Sequence, residues 1–306
     1  MTFYFFAHII IRETRQKKEA GEGYTTENKI AFIGGDERML FAAKEFEKEG
    51  FTISACGFDK ANIDMNTEND TKKALLGAEY IVLPIPFSRD GENITAPLSN
   101  KPIPLCEVLS AAKDGAYIFG GMMSEKLLAR ERTADYYKRE EFAILNAVPT
   151  AEGAIKLAIE ETKSSVCGMD IGITGFGKVG KVLAKTLVSL GANVTVFARS
   201  AKDRAWAKAF FCRVRKISAF CEHIGEFDCI FNTVPSNIIG ERELLHLNTE
   251  AVMIELASAP YGVDMDSAKK LGVKVRLAPS LPGKEEPKTA GKIIFEIIRD
   301  MIEEEK

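Results

Sequence analysis

The run Gly175-Phe176-Gly177-Lys178-Val179-Gly180 has the G-x-G-x-x-G spacing that lets backbone amides hold a pair of phosphates. Each glycine has its own task. Gly175 permits a tight turn, Gly177 admits close approach of a pyrophosphate, and Gly180 lets the next helix pack on the preceding strand. A helix N-terminus placed behind the loop then faces the phosphate charge. The spacing alone is shared by many proteins. Here it follows an apolar run, Asp170 to Thr174, and opens a helical pattern, Val179 to Leu190, closed by Gly191, which is the context a dinucleotide site needs.

About 20 residues after such a loop an Asp or Glu normally holds the ribose 2′-hydroxyl of NAD. This chain offers Arg199, Ser200 and Lys202 instead, with no acid before Asp203. Arginine there suits a 2′-phosphate, with Ser200 and Lys202 as further donors, so NADP is expected and NAD remains possible. Three later turns follow apolar runs on the same side. They are Asn232-Thr233-Val234-Pro235, Ala257-Ser258-Ala259-Pro260, and Ala278-Pro279-Ser280-Leu281-Pro282-Gly283. In an open α/β sheet, ligands sit at the carboxyl ends of strands, which makes these turns candidate cofactor contacts.

The substrate candidates are cations and rigid turns. Lys284 and Lys288 lie four apart among prolines and glycines, before a helix that Thr289 is placed to cap, and would suit an anion. The pattern fits two solvated lysines equally well. Pro84, Pro86 and Ser88 form one rigid turn and Gly120-Gly121-Met122 another. Thr150 and Glu152 follow Pro149; Glu152 is either an acid/base group or simply a first-turn helix acid favoured by the dipole.

Other chemistries are poorly served. Of three histidines, His8 lies in the N-terminal stretch, and His223 and His246 fall between strands, away from the candidate loops, so no imidazole base is in place. No His/Cys/Asp/Glu cluster has metal-ligand spacing, and G-x-S-x-G is absent. The formal charge of −3 makes neither nucleic acid nor an anionic membrane a default partner. No run approaches the roughly 20 apolar residues of a membrane helix. Six cysteines without a C-x-x-C pair read as reduced, mostly buried thiols of a cytoplasmic protein.

The elements that must carry these residues are short apolar strands alternating with helical stretches: an α/β class with two Rossmann-like parallel sheets, the C-terminal one binding the dinucleotide. Strands are expected at 29–33, 51–55, 80–83, 116–119 and 142–145, and again at 170–174, 193–197, 229–231, 252–256 and 274–277. Residues 1–28 are set apart as an N-terminal tail expected to be disordered, with a docking helix or a misread start as alternatives. Residues 29–149 form a Rossmann-like substrate domain ended by Pro149. Residues 150–164 are a linker helix, 165–285 the NAD(P)-binding domain, and 286–306 a helix returning to the first domain.

Several of these stretches together resemble the A-subunit family of dipicolinate synthases. The junction Ile144-Leu145-Asn146-Ala147-Val148-Pro149-Thr150-Ala151-Glu152-Gly153-Ala154 carries most of the resemblance. So do the glycine loop, Asn232 to Pro235, Ala278 to Lys284, and Pro287-Lys288-Thr289-Ala290-Gly291. The opening Ile30 to Asp36 and the turn Leu83 to Pro86 agree as well. The resemblance covers residues 29–300; the first 28 depart from it.

The resemblance implies a sporulation enzyme that makes pyridine-2,6-dicarboxylate in the mother-cell cytoplasm, together with a flavoprotein-like B subunit. Its substrate would be a small dicarboxylate, hydroxylated tetrahydrodipicolinate, and its oxidant NADP. Lys284 and Lys288 would then hold carboxylate, while Thr150 and Glu152 orient the ring or move a proton. Self-association of the chain is left open. Three other readings also stand: a different small-acid dehydrogenase of shikimate type, a nucleotide-sensing subunit without chemistry, and a structural subunit whose cleft is an interaction surface.

Overall fold

The computed structural model describes residues 28–62, 65 and 67–305. The expectations for the N-terminal stretch and for His8 fall on residues outside that range. The chain divides into two compact units. One holds the described residues up to Arg139 together with the segment from Gly291 onward, and the other holds Glu140–Ala290.

Each unit is built on a six-stranded parallel sheet. The first contains β1 (Lys29–Ile33), β2 (Thr52–Cys56), β3 (Thr67–Glu68), β4 (Tyr80–Val82), β5 (Tyr117–Gly120) and β6 (Thr133–Asp135), in the spatial order β3-β2-β1-β4-β5-β6. The second contains β7 (Asp170–Thr174), β8 (Asn193–Ala198), β9 (Arg213–Lys216), β10 (Cys229–Asn232), β11 (Val252–Glu255) and β12 (Val275–Leu277), in the order β12-β11-β10-β7-β8-β9. Both orders are the doubly wound 3-2-1-4-5-6 arrangement, with a switch of direction beside the first strand. The central strands are continuous apolar runs because helices cover both faces. Ile171, Ile173, Val196, Phe231 and Ile254 are wholly buried in the second unit, as are Ala31, Ile33 and Ile81 in the first.

Three strands escaped the sequence reading, and all are short or polar: Thr67–Glu68, Thr133–Asp135 and the edge strand Arg213–Lys216. The expected strand at Phe142 to Leu145 is instead a helix, Glu140–Leu145. Four apolar residues fit either period, and the two glutamates ahead of them favour a helix start. Pro149 does not end a domain. It lies in the first turn of the helix Ala147–Thr162, where its missing N–H has no partner to lose. That whole helix belongs to the second unit, where Ala151, Ala154, Leu157 and Ala158 enter the core.

The span Glu140–Thr162 would pass for a membrane helix by length and mean hydropathy alone, yet half of its most apolar stretch is buried within the protein, as in a core helix. The cysteines are less buried than expected. Cys56, Cys212 and Cys229 are buried, Cys106 and Cys167 exposed, and all six are free thiols.

The long helix Pro287–Glu304 begins two residues before Thr289, so Thr289 is a first-turn residue and not a cap. From Gly291 onward it packs in the first unit. A Cβ at Gly291 would lie 2.5 Å from the Arg38 carbonyl, and the Phe295 ring meets Phe46 edge-on at 4.8 Å.

Candidate functional site

The two sheets present the same first turn with opposite outcomes. In the first unit, Asp36 caps the helix Glu37–Lys48, accepting from the Arg38 amide at 3.1 Å. The Arg38 guanidinium grips both Asp36 oxygens at 2.8 Å and the Ile85 carbonyl at 3.1 Å. The turn is also filled: a Cβ at Gly34 would lie 2.8 Å from Ile94, and one at Gly35 3.0 Å from Pro84. The helix start already has an anion of its own.

In the second unit the corresponding helix, Lys178–Ser189, is capped by Gly177 with no side-chain hydrogen bond. Its first-turn N–H groups have no intrahelical acceptor. A Cβ at Gly177 meets nothing within 4 Å, so the space in front of those donors is open. The other two glycines are tight. Gly175 has φ +87°, and a Cβ there would run into the Thr233 hydroxyl and lie 2.8 Å from Val234. A Cβ on Gly180 would lie 2.9 Å from the Gly175 carbonyl. Crowding behind the loop and open space ahead of it fit a pyrophosphate on the helix N-terminus.

The loop's own side chains point elsewhere. Phe176 is buried, its ring 6.0 Å from Phe210, so only its backbone can serve a cofactor. Lys178 is exposed and 3.3 Å from Glu140, and Val179 is half-buried.

At the end of β8, Arg199 and Lys202 are exposed, and among the described residues neither side chain has a protein partner. Ser200 is less available than expected. It caps the helix Ala201–Ala209, its hydroxyl accepting from the Asp203 amide at 3.0 Å and donating to the Asp203 carboxylate at 2.7 Å. Its one proton is spent. Arg204, which the sequence reading passed over, donates to the carbonyls of Ala198 and Arg199 at 3.0 and 2.8 Å and fixes the turn that presents Arg199.

The turns after β10 and β11 are tied together by a buried network. Asn232 was expected to meet cofactor, but it is fully buried, and its side chain is spent on Thr174, Val234 and Glu255. Thr233 donates its hydroxyl to the Thr174 carbonyl at 2.8 Å and stands directly under Gly175. Val234 and Pro235 continue that turn; Ala257 is buried and Ser258 exposed at the next. Pro279 is exposed. Leu281 is a core residue, packed against Gly153 of the Ala147–Thr162 helix, and is withdrawn as a cofactor contact.

Glu152 lies on the exposed side of that helix and shares a hydrogen bond with the carboxyl of Glu286. Burial, then the charge and hydrogen bond of Glu152, push Glu286 up to about 7, with Glu285 adding to the effect. A carboxyl poised near neutrality is the one acid/base group the histidines did not supply. Sequence reading missed Glu286 because Lys284-Glu285-Glu286 looks like a solvated charge run. Thr150 back-bonds to the Asn146 carbonyl at 2.7 Å and keeps acceptor capacity. Lys284 and Lys288 are exposed, without side-chain partners among the described residues, and Thr289 is exposed beside them. His223 pairs with Glu226, and His246 bonds to the Arg242 carbonyl.

In the first unit, Pro84 is buried and Pro86 half-buried. Ser88 is tied to Asp90 at 3.1 Å and to the Gly91 amide at 2.9 Å, which leaves its hydroxyl with little to give a substrate. Gly120 is packed against Met123, whose sulfur would lie 2.9 Å from a Cβ. No group of three or more potential metal ligands occurs among the described residues.

Residues 29–138 match the family described as the N-terminal domain of the dipicolinate synthase A subunit. Residues 149–269 match the NAD-binding domain of D-isomer specific 2-hydroxyacid dehydrogenases. The dipicolinate synthase A subunit of Bacillus subtilis is 31% identical over 292 residues, covering 90% of this chain and 96% of that protein. The crystal structure of the dipicolinate synthase A subunit from Bacillus halodurans superposes with a TM-score of 0.82 at 28% identity, covering 91% of this chain and 99% of that one. The crystal structure of the Bacillus subtilis protein gives 0.81 at 30% identity, covering 93% and 98%.

Proposed function

The chain belongs to the dipicolinate synthase A-subunit family and is an NAD(P)-dependent oxidoreductase, and from that premise we propose that it oxidises a dihydropyridine dicarboxylate to pyridine-2,6-dicarboxylate, with NADP as oxidant. The substrate class is a six-membered imine carrying two carboxylates, which loses water before it is oxidised. A bound oxidised nicotinamide supplies the hydride acceptor, and aromatisation supplies driving force, so the protein has to position, bind charge and move protons.

The observation that carries this reading is the helix start at Gly177, with no side-chain cap and open space before it, set against the one at Asp36, whose own carboxylate caps it. The first-turn amides of Lys178, Val179 and Gly180 would hold the pyrophosphate. Arg199 and Lys202 would take the 2′-phosphate, with the adenine lying along Arg199; Ser200 shapes the turn instead of donating to it. Ser258 and Pro279 would border the nicotinamide side.

Lys284 and Lys288 would bind substrate carboxylate. Glu286, held at about 7, stands beside Glu152, and one of these two carboxyl groups would accept a proton from the ring while the other returns one to the departing hydroxyl. Thr150 would orient that pair or the ring nitrogen. A companion protein, the flavoprotein-like B subunit of the family resemblance, would work beside the chain in the cytoplasm of a sporulating mother cell.

The test is terbium luminescence for dipicolinate, with purified chain, NADP⁺ and precursor generated in situ, with and without the companion protein. Signal from the chain alone assigns the oxidation to it. Signal only with the companion makes it the cofactor-binding part of a shared enzyme. No signal in either arm, with precursor verified, overturns the reading.

A further inference from the structure

We infer that Glu255, acting through Asn232, is a positioning residue that sets the nicotinamide half of the dinucleotide site. The inference rests on the dinucleotide reading of the Gly175–Gly180 loop.

Three neighbouring strands end in a polar row. Thr174 closes β7, Asn232 closes β10 and Glu255 closes β11, and they are register partners across the sheet. All three are buried, Glu255 to 1% exposure and Asn232 to 0%. The Thr174 hydroxyl donates to Asn232 Oδ1 at 2.6 Å. The Asn232 amide donates to both Glu255 oxygens at 2.8 Å. The Glu255 carboxylate also accepts from the backbone N–H groups of Ala257 at 2.9 Å and of Gly262 and Val263 at 3.0 Å.

Stability alone does not call for this. Glu255 follows Val252, Met253 and Ile254, and an apolar residue there would extend the core without removing a charge from water. Burial raises the Glu255 carboxyl above its ordinary value, and the bonds from Asn232 and the three amides oppose that rise. What the carboxylate achieves is convergence. It folds the 256–263 loop back on itself, although Tyr261 must stand at φ +66°, a left-handed conformation costly for a bulky residue. The loop is then seated against the turn after β10: a Cβ at Gly262 would lie 2.5 Å from the Val234 carbonyl. The glycine loop begins one residue after Thr174. A single buried row therefore sets the start of all three loops at the carboxyl edge.

That edge serves two halves. The loop after β8, with its exposed cations, belongs to the adenosine half. The turns after β10 and β11 belong to the other. Loosening the row should therefore weaken nicotinamide binding while sparing adenosine.

The experiment compares wild type with Glu255→Gln by calorimetric titration against NADP⁺ and NAD⁺, and against AMP and 2′-phospho-AMP as probes of the adenosine half. The variant keeps the shape of the side chain, but either orientation of the new amide sets an NH₂ group against a backbone N–H. The expected result is a dinucleotide Kd raised about tenfold or more, with the AMP probes within about twofold of wild type. If both affinities hold, or both fall by the same factor, Glu255 is merely structural and the inference is overturned. If Glu255→Gln does not fold, Glu255→Asp, which keeps the charge but draws it back by one methylene, is read in the same way. A wild-type chain that binds no dinucleotide overturns the cofactor reading itself, a result distinct from either.

Discussion

The carboxyl of Glu286, just past the short helix Leu281–Glu285, hydrogen-bonds to that of Glu152 in the helix Ala147–Thr162, and Glu286 is held at about 7 against an ordinary 4.5. Burial is the larger cause and the Glu152 charge the next. A raised carboxyl binds a proton in the folded chain that it releases when unfolded. Its stabilising contribution is therefore complete below pH 4.5 and is lost as pH rises through about 7. Glu286→Gln should raise the Tm at pH 8 by about 2 °C while leaving it nearly unchanged at pH 4, the scale expected for roughly 1 kcal/mol or less at a half-exposed site. In the activity profile, the limb near pH 7 should disappear in the same variant. A limb that survives Glu286→Gln would remove the pair from proton transfer.

Gly177 and Gly180 should separate binding from folding. A methyl at Gly177 meets no protein atom within 4 Å, and its φ of −75° suits any residue, so Gly177→Ala should melt like wild type. It should still weaken the dinucleotide by about tenfold, because the methyl occupies the pyrophosphate's approach. Gly180→Ala presses on the Gly175 carbonyl and should cost about 1–3 kcal/mol of stability as well. Thermal melts and calorimetry on the two variants check this; an unchanged affinity in Gly177→Ala would place the phosphates elsewhere.

Arg199 should decide between the two cofactors. It is exposed at the end of β8, and Arg204 holds its turn by two backbone bonds. A hydrogen bond to a charged group is worth about 1.5–3 kcal/mol, so Arg199→Ala should reduce the NADP-over-NAD preference about tenfold or more. The measurement is kcat/KM for both cofactors. Equal losses with both would mean that Arg199 stacks on adenine without reading the phosphate.

How much of this was legible in the sequence depends on how locally each feature is encoded. The glycine loop was legible because three glycines, a preceding apolar strand and a following helix lie within one short segment. The exposed place of Arg199 at the end of β8 was legible by its distance from that loop. The polar row was not. Glu255 reads as one acid in an apolar strand and Asn232 as the start of a turn, and only the β10–β11 register joins them. An acid inside Val252-Met253-Ile254-Glu255-Leu256 was the available signal, since a charge in a buried strand must have partners. Glu286 was hidden in a charge run for the same reason: its partner, Glu152, lies far away in sequence. Leu281 and Phe176 were misjudged because residues in a ligand loop alternate between facing ligand and facing core, and spacing alone does not say which.

Trp206 offers a direct reading of occupancy. It is the only tryptophan in the sequence, about half exposed, with its ring 6.0 Å from Phe210, whose ring is 6.0 Å from Phe176 in the glycine loop. The reporter therefore stands two aromatic contacts from the proposed pyrophosphate, and reduced nicotinamide absorbs where tryptophan emits. Titration with NADPH should quench Trp206 emission and raise that of the nicotinamide, with a midpoint equal to the calorimetric Kd. Trp206→Phe should abolish the transferred signal without changing affinity, because the side chain lies beside the site's support and not in it. Calorimetric binding accompanied by no change in Trp206 emission would move the cofactor away from the Gly175–Gly180 loop.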